Sequence, residues 1–484
     1  MINDYVYAIS TKYANTNNPE PPVFISGQEL IKTPANQVHY FDYSDTRYTF
    51  TTISAINTKE NKMNNKVYLT GASQNIYASQ KNIYLTYTRR FDQNKYSEKF
   101  AEQVAKQVLP KEKHQEINKI INSEKNEYIK TVEMKNLITQ YSNKLPNNEK
   151  NEFAEKLSQK IKEFQEYNNK KIQKTVIHKI GINKEEIQYK SVGEVPGNVL
   201  NQFSMSEKGE YFRIATTTGD FYKGESFNNL YILDKDLEII GKVEDLAKGE
   251  KIYSARFMQD RAYMVTFKKV DPLFVIDLSD EENPEVLGYL KITGYSDYLH
   301  LYDENHVIGI GKEAEPASEE DINKRNLDFS WYQGVKVSLF NVEDVKNPKE
   351  VAKIEIGDRG THSEALHEHK AVLFDKEKQI LVIPIDLHEI DKEKYQGKEI
   401  PPTAYGERTF SGAYVLNINK DEISVRGRIT HTDEQVIKYP PAKDQEIGAT
   451  RKDAYGNTWE KIDEDQWKTT SQRYKYTLFS NEQV

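Results

Sequence analysis

One pattern is shared by residues 273–287, LFVIDLSDEENPEVL, and residues 337–351, VSLFNVEDVKNPKEV. In each copy a run of apolar and β-branched residues ends at Asp277 or Asn341, and an Asn-Pro pair follows six residues later. Valine, isoleucine and phenylalanine favour strands, whereas Asp, Asn and Pro favour the turns between strands. The pattern therefore predicts a strand, a turn and a second strand, and its recurrence predicts a repeated unit.

The same sequence shape, an apolar run ending in Asp or Asn, also occurs at Asn57, Asn183, Asp234 and Asn417. Most units are spaced by ~40–50 residues, which is the length of a four-stranded propeller blade. Blades bury both faces of their sheets by packing side by side around an axis. We therefore predict an all-β protein, a β-propeller of about six four-stranded blades or a fragment of a larger propeller, with an α-helical insertion.

The helical insertion is predicted from a change of period after about residue 95. Phe153, Leu157, Ile161 and Phe164 follow the spacing of one helix face, and strand patterning resumes at Val176. We therefore predict a propeller formed by residues 1–94 and 175–430, with a helical insertion at 95–174 inside one blade. Residues 431–484 are predicted to be a C-terminal extension, in which the run at 474–479 is a candidate for a ring-closing strand.

The long insertions all fall at one position of the repeat. If the strands of each unit are named A to D, the insertions lie between B and C, at residues 11–47, 91–174, 216–229, 313–334 and 386–410. In a propeller these connections leave the same face. Because loops on a rigid scaffold often carry binding residues, this elaborated face is the predicted binding face.

Composition excludes several classes of protein. The formal net charge is -8, and lysine and glutamate are mixed along the chain, which argues against a nucleic-acid partner. Cysteine is absent, so neither disulfides nor thiolate metal sites can form. No apolar run approaches ~18 residues, so we predict no transmembrane segment. The first residues carry no signal-peptide pattern.

Several short segments resemble a known family. They are GASQNIY at 71–77, GEVPG at 193–197, VDPLFVID at 270–277 and IGDRG at 356–360. Together they are similar to archaeal and bacterial secreted proteins with a C-terminal β-propeller domain, distantly related to WD-40 repeats. The resemblance covers roughly residues 2–430. It implies a propeller and a secreted or cell-surface location, and it brings no catalytic residues with it.

The densest group of side chains able to bind a metal contains His362, His367 and His369, with Glu364 and Glu368 between them. On a strand, His367 and His369 would point to one side, as two ligands of one metal must. The sequence thus offers these three histidines as candidate ligands of a divalent metal ion. The alternative is a solvated strand edge and turn.

No nucleophile-elbow, P-loop or zinc-protease motif is present. We therefore predict a non-enzymatic secreted or cell-surface binding scaffold for a protein or glycan, acting through the B–C face. Trp331 and Tyr332 are the candidate aromatic anchors. The alternative is a hydrolase that acts on polysaccharide or peptide through carboxylates at the central channel.

Overall fold

The structure is a computed structural model. It describes residues 2, 4–15, 18–26, 29–41, 47–60, 62–72, 75–90, 96–171, 173–221, 224–268, 271–325, 329–430, 450–452, 458–463 and 466–469. Two compact units are distinguished by their internal contacts, Met1–Thr430 and His431–Val484.

The first sheet of the larger unit is atypical. Its segment contains β1 (Tyr5–Ala14), a hairpin of β2 (Val23–Ser26) and β3 (Glu29–Lys32), the short β4 (Val38–Tyr40), β5 (Tyr48–Asn57) and β6 (Lys62–Gly71). Strands β1, β5 and β6 pair antiparallel and correspond to B, C and D of the repeat. Strand β4 pairs in parallel with β6 and completes sheet 1 as its fourth strand.

Sheet 2 contains the helices. Its strands are β7 (Asn75–Ala78), β8 (Asn82–Arg90), β9 (Gln173–Asn183) and β10 (Glu186–Pro196). Between β8 and β9 lie α1 (Tyr96–Phe100), a π-helical turn (Ala101–Ala105), α2 (Lys106–Val108), α3 (His114–Ile121), α4 (Glu127–Lys144) and α5 (Asn147–Lys171). These helices bury their own apolar cluster, which includes Phe100, Val104 and Ile117. Their amphipathic period is thus explained by packing against one another.

Four regular sheets follow, each with strands in the order A, B, C, D. Sheet 3 contains β11 (Met205–Lys208), β12 (Tyr211–Thr218), β13 (Phe227–Leu233) and β14 (Ile239–Leu246). Sheet 4 contains β15 (Lys251–Met258), β16 (Arg261–Phe267), β17 (Asp271–Asp277) and β18 (Glu285–Ile292). Sheet 5 contains β19 (Tyr295–Asp303), β20 (His306–Pro316), β21 (Ser330–Asn341) and β22 (Lys349–Ile356), and helix α6 (Glu319–Arg325) lies between β20 and β21. Sheet 6 contains β23 (Leu373–Asp375), β24 (Ile380–Glu389), β25 (Glu407–Ile418) and β26 (Ile423–Ile429).

Consecutive sheets pack face to face through apolar clusters. Pairs of residues that share these clusters are Ile53 with Ile180, Tyr84 with Phe212, Ile232 with Met264, Val275 with Phe340, and Leu339 with Ile383. The repeated packing of four-stranded antiparallel sheets, each covering the next, is the blade arrangement of a propeller. The predicted fold class, an all-β propeller with a helical insertion, is confirmed.

The C–D turn of one sheet packs against the outer strand of the preceding sheet, which explains why the quoted pattern recurs. The side chain of Asn283 donates to Asp280 at 3.0 Å, and that of Asn347 donates to Asp344 at 2.9 Å. Each turn lies against a glycine of the preceding outer strand. A Cβ on Gly241 would lie 2.0 Å from the Glu281 carbonyl oxygen, so only glycine leaves room for the turn.

Several predicted boundaries need correction. The B–C connections of sheets 1, 3, 5 and 6 are residues 15–47, 219–226, 317–329 and 390–406, each shorter than predicted. The flanking strands extend into the predicted loops, namely β1, β12, β13, β20, β21, β24 and β25. Trp331 and Tyr332 therefore lie on strand β21 and not in a loop.

The smaller unit contains β27 (Thr450–Lys452), β28 (Thr458–Asp463) and β29 (Gln466–Thr469), which pair antiparallel. The run at 474–479, predicted as a ring-closing strand, lies outside the described residues. Within the ranges given above, no helix has the length and apolar character needed to cross a membrane.

Candidate functional site

Two kinds of connection share one end of each sheet. Because strands A to D run alternately in opposite directions, the B–C connection and the connection from D to the next A strand leave the same end. We call it the B–C end. Residues 357–372, which join sheets 5 and 6, therefore lie at the same end as the B–C connections of these sheets.

The innermost strands of sheets 4 and 5 carry matching bulges near the B–C end. In β15 the register shifts between Ile252 and Ser254, and in β19 it shifts between Ser296 and Tyr298. The extra residues are Tyr253 and Asp297. A bulge turns its extra side chain away from the regular alternation of the strand. The sequence pattern alone does not reveal these two positions.

Tyr253 belongs to a cluster of four aromatic rings. Its ring centroid lies 4.5 Å from that of Tyr295, which lies 4.9 Å from Phe267 and 5.0 Å from Tyr332. The hydroxyl groups of Tyr253 and Tyr332 are hydrogen-bonded at 3.0 Å. Tyr295 is buried, whereas Tyr332 is 38% exposed. The other three rings therefore support the solvent-facing ring of Tyr332.

Arg359 stacks beside this cluster. Its guanidinium carbon lies 4.8 Å from the Trp331 ring centroid and 5.9 Å from that of Tyr405, and its Nη1 donates to the Tyr332 carbonyl oxygen at 3.2 Å. Trp331 is buried beneath it, whereas Tyr405 is 66% exposed. We call Trp331, Tyr332, Arg359 and Tyr405 the arginine–aromatic platform. Cation–π contacts of this kind hold a guanidinium in one place without neutralising it.

The backbone around Arg359 fixes the platform. Gly406 donates its N–H to the Arg359 carbonyl oxygen at 2.8 Å, which ties the Tyr405 loop to the connection between sheets 5 and 6. Gly360 has a φ of 113°, and a Cβ there would lie 2.6 Å from the Tyr405 ring. Only glycine fits this conformation and this close approach.

A half-buried lysine, Lys312, and an aspartate, Asp297, lie next to the platform. Lys312 Nζ donates to the carbonyl oxygens of Thr361, at 2.6 Å, and Gln333, at 3.3 Å. Burial lowers the pKa of Lys312, and the charge of Asp297 opposes this effect. Burial raises the pKa of Asp297 to about 7, against the opposing charges of Lys312 and Lys251. The carboxyl group is therefore only partly ionised at neutral pH.

His388 also contacts Tyr405, with the two ring centroids 5.9 Å apart. Its backbone exchanges hydrogen bonds with the Thr361 hydroxyl, which accepts from the His388 N–H at 2.9 Å and donates to the carbonyl oxygen at 3.0 Å. Burial lowers the pKa of His388. Within the described part of the chain, its buried Nδ1 has no hydrogen-bond partner.

The structure does not bring the three predicted metal-binding histidines together. The rings of His362 and His367 lie 5.5 Å apart, but His369 packs against Phe203 at 4.9 Å. The strand expected here was wrong, because 3₁₀ turns occupy Glu364–Leu366 and His369–Ala371. Across the described ranges, no group of three or more His, Asp or Glu side chains is placed to hold a metal ion. A metal at these histidines stays a prediction.

The innermost strands of sheets 2 to 5 line a cavity of about 560 Å³, where the hydrolase alternative expects carboxylates. Its lining residues include Tyr77, Phe203, Met205, Arg256 and Leu301, and no carboxylate is among those the structure describes there. Arg256 stacks on the ring of Phe203 at 4.8 Å. The cavity offers an arginine and apolar rings, not a pair of acids.

Both predicted anchors, Trp331 and Tyr332, belong to the platform, Trp331 as its base and Tyr332 as an exposed ring. Sequence reasoning missed Arg359, Tyr405 and Asp297. Tyr405 lay in a predicted B–C insertion, and Arg359 lay in the connection that shares its end of the sheets. The topology could have pointed to both of these residues, whereas Asp297 depends on the bulge.

Comparison with known proteins agrees with the fold. A sequence model of the beta propeller domain family matches residues 1–457. An uncharacterised protein of Methanocaldococcus jannaschii is 37% identical over 347 residues, which cover 71% of this chain and 52% of that protein. An uncharacterised protein of Archaeoglobus fulgidus is 30% identical over 383 residues, covering 78% of this chain and 57% of that protein.

The chain thus spans little more than half the length of these two relatives. Among solved structures, the acylaminoacyl peptidase of Pyrococcus horikoshii matches 47% of this chain and 32% of its own, with 12% identity and a TM-score of 0.28. That likeness is too low to support any argument about this protein. The family match, together with the six sheets, shows that the chain belongs to the beta propeller domain family.

Proposed function

We propose that this chain is part of a non-enzymatic secreted or cell-surface binding scaffold that binds a glycan at the arginine–aromatic platform. The observation that carries the proposal is the exposure of Tyr405 and Tyr332 next to Arg359, which stacks on the Tyr405 ring and donates to the Tyr332 carbonyl oxygen. Exposed rings offer flat apolar faces to the C–H faces of a sugar, and the guanidinium offers hydrogen-bond donors. Binding sites often combine apolar rings with a few fixed polar groups in this way.

Rigidity supports the same proposal. Arg359 is held by the Trp331 ring, the Tyr332 carbonyl oxygen and the Gly406 N–H, so binding need not order it. Preorganisation of this kind raises affinity because fewer side chains lose freedom on binding. The secreted or surface location rests on the family resemblance.

The test is a glycan-binding measurement on the intact chain. A panel of immobilised oligosaccharides is screened, and hits are measured by calorimetry for the wild type, Tyr405→Ala and the control Tyr289→Ala. Tyr289 is similarly exposed, at 57%, but lies on the outer strand β18 of sheet 4. We expect Tyr405→Ala to weaken binding about tenfold, equivalent to ~1.4 kcal/mol, and Tyr289→Ala to have no effect.

Failure of every glycan to bind, or equal binding by Tyr405→Ala and the wild type, would contradict the glycan proposal. Capture of a defined protein that depends on Tyr405 would instead favour the protein partner. Chain folding is checked by circular dichroism for each variant, since Tyr405 is exposed and its removal leaves the sheets intact.

A hydrolase is the second candidate, and Asp297 is the observation in its favour. A carboxyl group with a pKa of about 7 has the protonation state that a general acid needs. The charges acting on it come from Lys312 and Lys251, however, and hydrolysis of a glycoside needs a second carboxylate. Polysaccharide or peptide turnover that is lost in Asp297→Asn would replace the binding proposal. No turnover by the wild type would leave the scaffold as the favoured function.

A further inference from the structure

Among the residues that the structure describes, Arg359 has no acidic hydrogen-bond or ion-pair partner. Its contacts in the described ranges are the rings of Trp331 and Tyr405, the carbonyl oxygen of Tyr332 and the charge of Lys312. Its Nε is buried and, in the part of the chain that the structure describes, has no hydrogen-bond partner. A half-buried guanidinium that is stacked but not neutralised attracts an anion more strongly than an exposed one does.

Two carboxylates of the neighbouring segments have partners other than Arg359. Asp358 accepts a hydrogen bond from the backbone N–H of Ile390 at 2.7 Å. Asp386 accepts from Arg408 at 2.6 Å and from Ser411 at 2.5 Å. In the described residues neither acid is hydrogen-bonded to Arg359, so its guanidinium can still bind the carboxylate of a ligand.

A second positive charge reinforces the first. Lys312 lies behind the Thr361 carbonyl oxygen, and its electrostatic effect reaches Arg359, His362 and His388. Its nearest acid, Asp297, is only partly ionised at neutral pH because of burial. Arg359 and Lys312 therefore form a local pair of cations on a chain whose overall charge is -8. A chain with this net charge attracts polyanions only weakly as a whole, so an anion must be bound by local contacts such as those of Arg359.

We infer that the ligand of the platform is a uronic-acid-containing glycan, whose sugar ring packs on Tyr405 or Tyr332 while its carboxylate binds Arg359. The inference rests on the proposed function and names its ligand class. A uronate joins a flat apolar ring face and a planar carboxylate in one residue. The fork of a guanidinium matches that carboxylate with two parallel hydrogen bonds, which an ammonium group cannot do.

The experiment compares two ligands with the same sugar rings, one with free carboxylates and one with neutral methyl esters. Calorimetry on the 484-residue chain is run with trigalacturonic acid and with its fully methyl-esterified form, which keeps the rings and removes the carboxylates. We expect the acid to bind at least tenfold more tightly than the ester. Arg359→Gln should abolish this preference, and Arg359→Lys should retain only part of it, because the charge stays while the fork is lost.

Arg428→Gln is the matched control. Arg428 also stacks on two rings, at 5.3 Å from Phe410 and 5.8 Å from Tyr414, but neither ring belongs to the platform. Its loss should leave the acid preference unchanged. An equal effect of Arg428→Gln and Arg359→Gln would overturn the assignment, because general charge would then explain the binding. Unaltered circular dichroism of Arg359→Lys guards against a folding defect.

The two proposals fail in different ways. If acid and ester bind equally and both depend on Tyr405, the glycan site stands and the uronate inference is refuted. If neither ligand nor any other glycan binds, the proposed function itself fails. Binding of sulfated dextran in preference to the uronate, with the same dependence on Arg359, would overturn the uronate in favour of a sulfated sugar.

Discussion

The contact between each C–D turn and the preceding outer strand can be tested by adding one methyl group. Gly288 on β18 pairs with Val275, and Gly427 on β26 pairs with Val415, each beside a bulge in the register. The two glycines therefore occupy equivalent positions in sheets 4 and 6. Their surroundings differ, because the turn of sheet 5 covers Gly288. The substitutions Gly288→Ala and Gly427→Ala are thus a matched pair.

The magnitude follows from the geometry. A Cβ on Gly288 would lie 2.3 Å from the Val345 carbonyl oxygen and 2.8 Å from that of Lys346, both backbone atoms. An ordinary contact between carbon and oxygen is about 3.3–3.6 Å, so the turn must move by roughly 1 Å. Overpacking of this kind costs about 1–3 kcal/mol of unfolding free energy. At Gly427 a Cβ meets nothing within 4 Å, so alanine should be neutral or stabilise by about 0.4–1 kcal/mol.

Urea denaturation followed by circular dichroism measures the difference. We expect the midpoint of Gly288→Ala to fall and that of Gly427→Ala to stay or rise. Hydrogen exchange should locate the loss in the turn at residues 343–348. Equal midpoints for the two variants, or unchanged exchange in that turn, would refute the claim that the turn depends on the glycine.

Three further predictions concern the site. The pKa of Asp297 is about 7 in the folded state, above its unfolded value near 3.8, so the folded state holds the proton more tightly and stability falls as pH rises between these values. Asp297→Asn should flatten this fall in melting experiments from pH 4 to 8. An unchanged slope would contradict the burial of this carboxyl. His369 packs on Phe203 and not on the neighbouring rings of His362 and His367, so Zn²⁺ should not raise the melting temperature. A rise that is lost in His369→Ala would instead support the three-histidine metal site. Gly360→Ala should weaken ligand binding at least as much as Tyr405→Ala, because the new methyl group displaces the Tyr405 ring, and wild-type affinity would contradict the tight fit.

The repeated unit could be predicted because its signal is local. The Asn-Pro pairs after Asp277 and Asn341 form turns whose hydrogen bonds close within a few residues, so short sequence stretches suffice. The helices between residues 96 and 171 were equally visible, since they pack mainly on one another and keep a regular period. The ends of the B–C connections were misjudged because strand β21 begins at Ser330 and continues through polar residues such as Gln333, which lack the apolar pattern of a strand.

The platform is less visible because its members come from different sheets. Tyr332 belongs to strand C of sheet 5, Arg359 to the connection between sheets 5 and 6, and Tyr405 to the B–C connection of sheet 6. Nothing in their spacing along the chain joins them. Their proximity follows only from the alternation of strand direction, which brings these connections to one end, and from the packing of sheet 5 on sheet 6.

The repeat also explains how one chain can place different chemistry at equivalent positions. The bulges of β15 and β19 occupy the same place in neighbouring sheets, yet one presents Tyr253 and the other Asp297. The backbone hydrogen bonds of the blade set the position, and the residue type sets the chemistry: a ring that supports Tyr332 in sheet 4, and a partly protonated acid beside Lys312 in sheet 5. Because the bulge does not depend on the side chain it carries, Asp297→Asn can remove the charge while the strand keeps its register. Side chains at the B–C end can therefore be replaced one at a time to alter binding. The glycines packed against the C–D turns, in contrast, cannot be replaced without loss of stability.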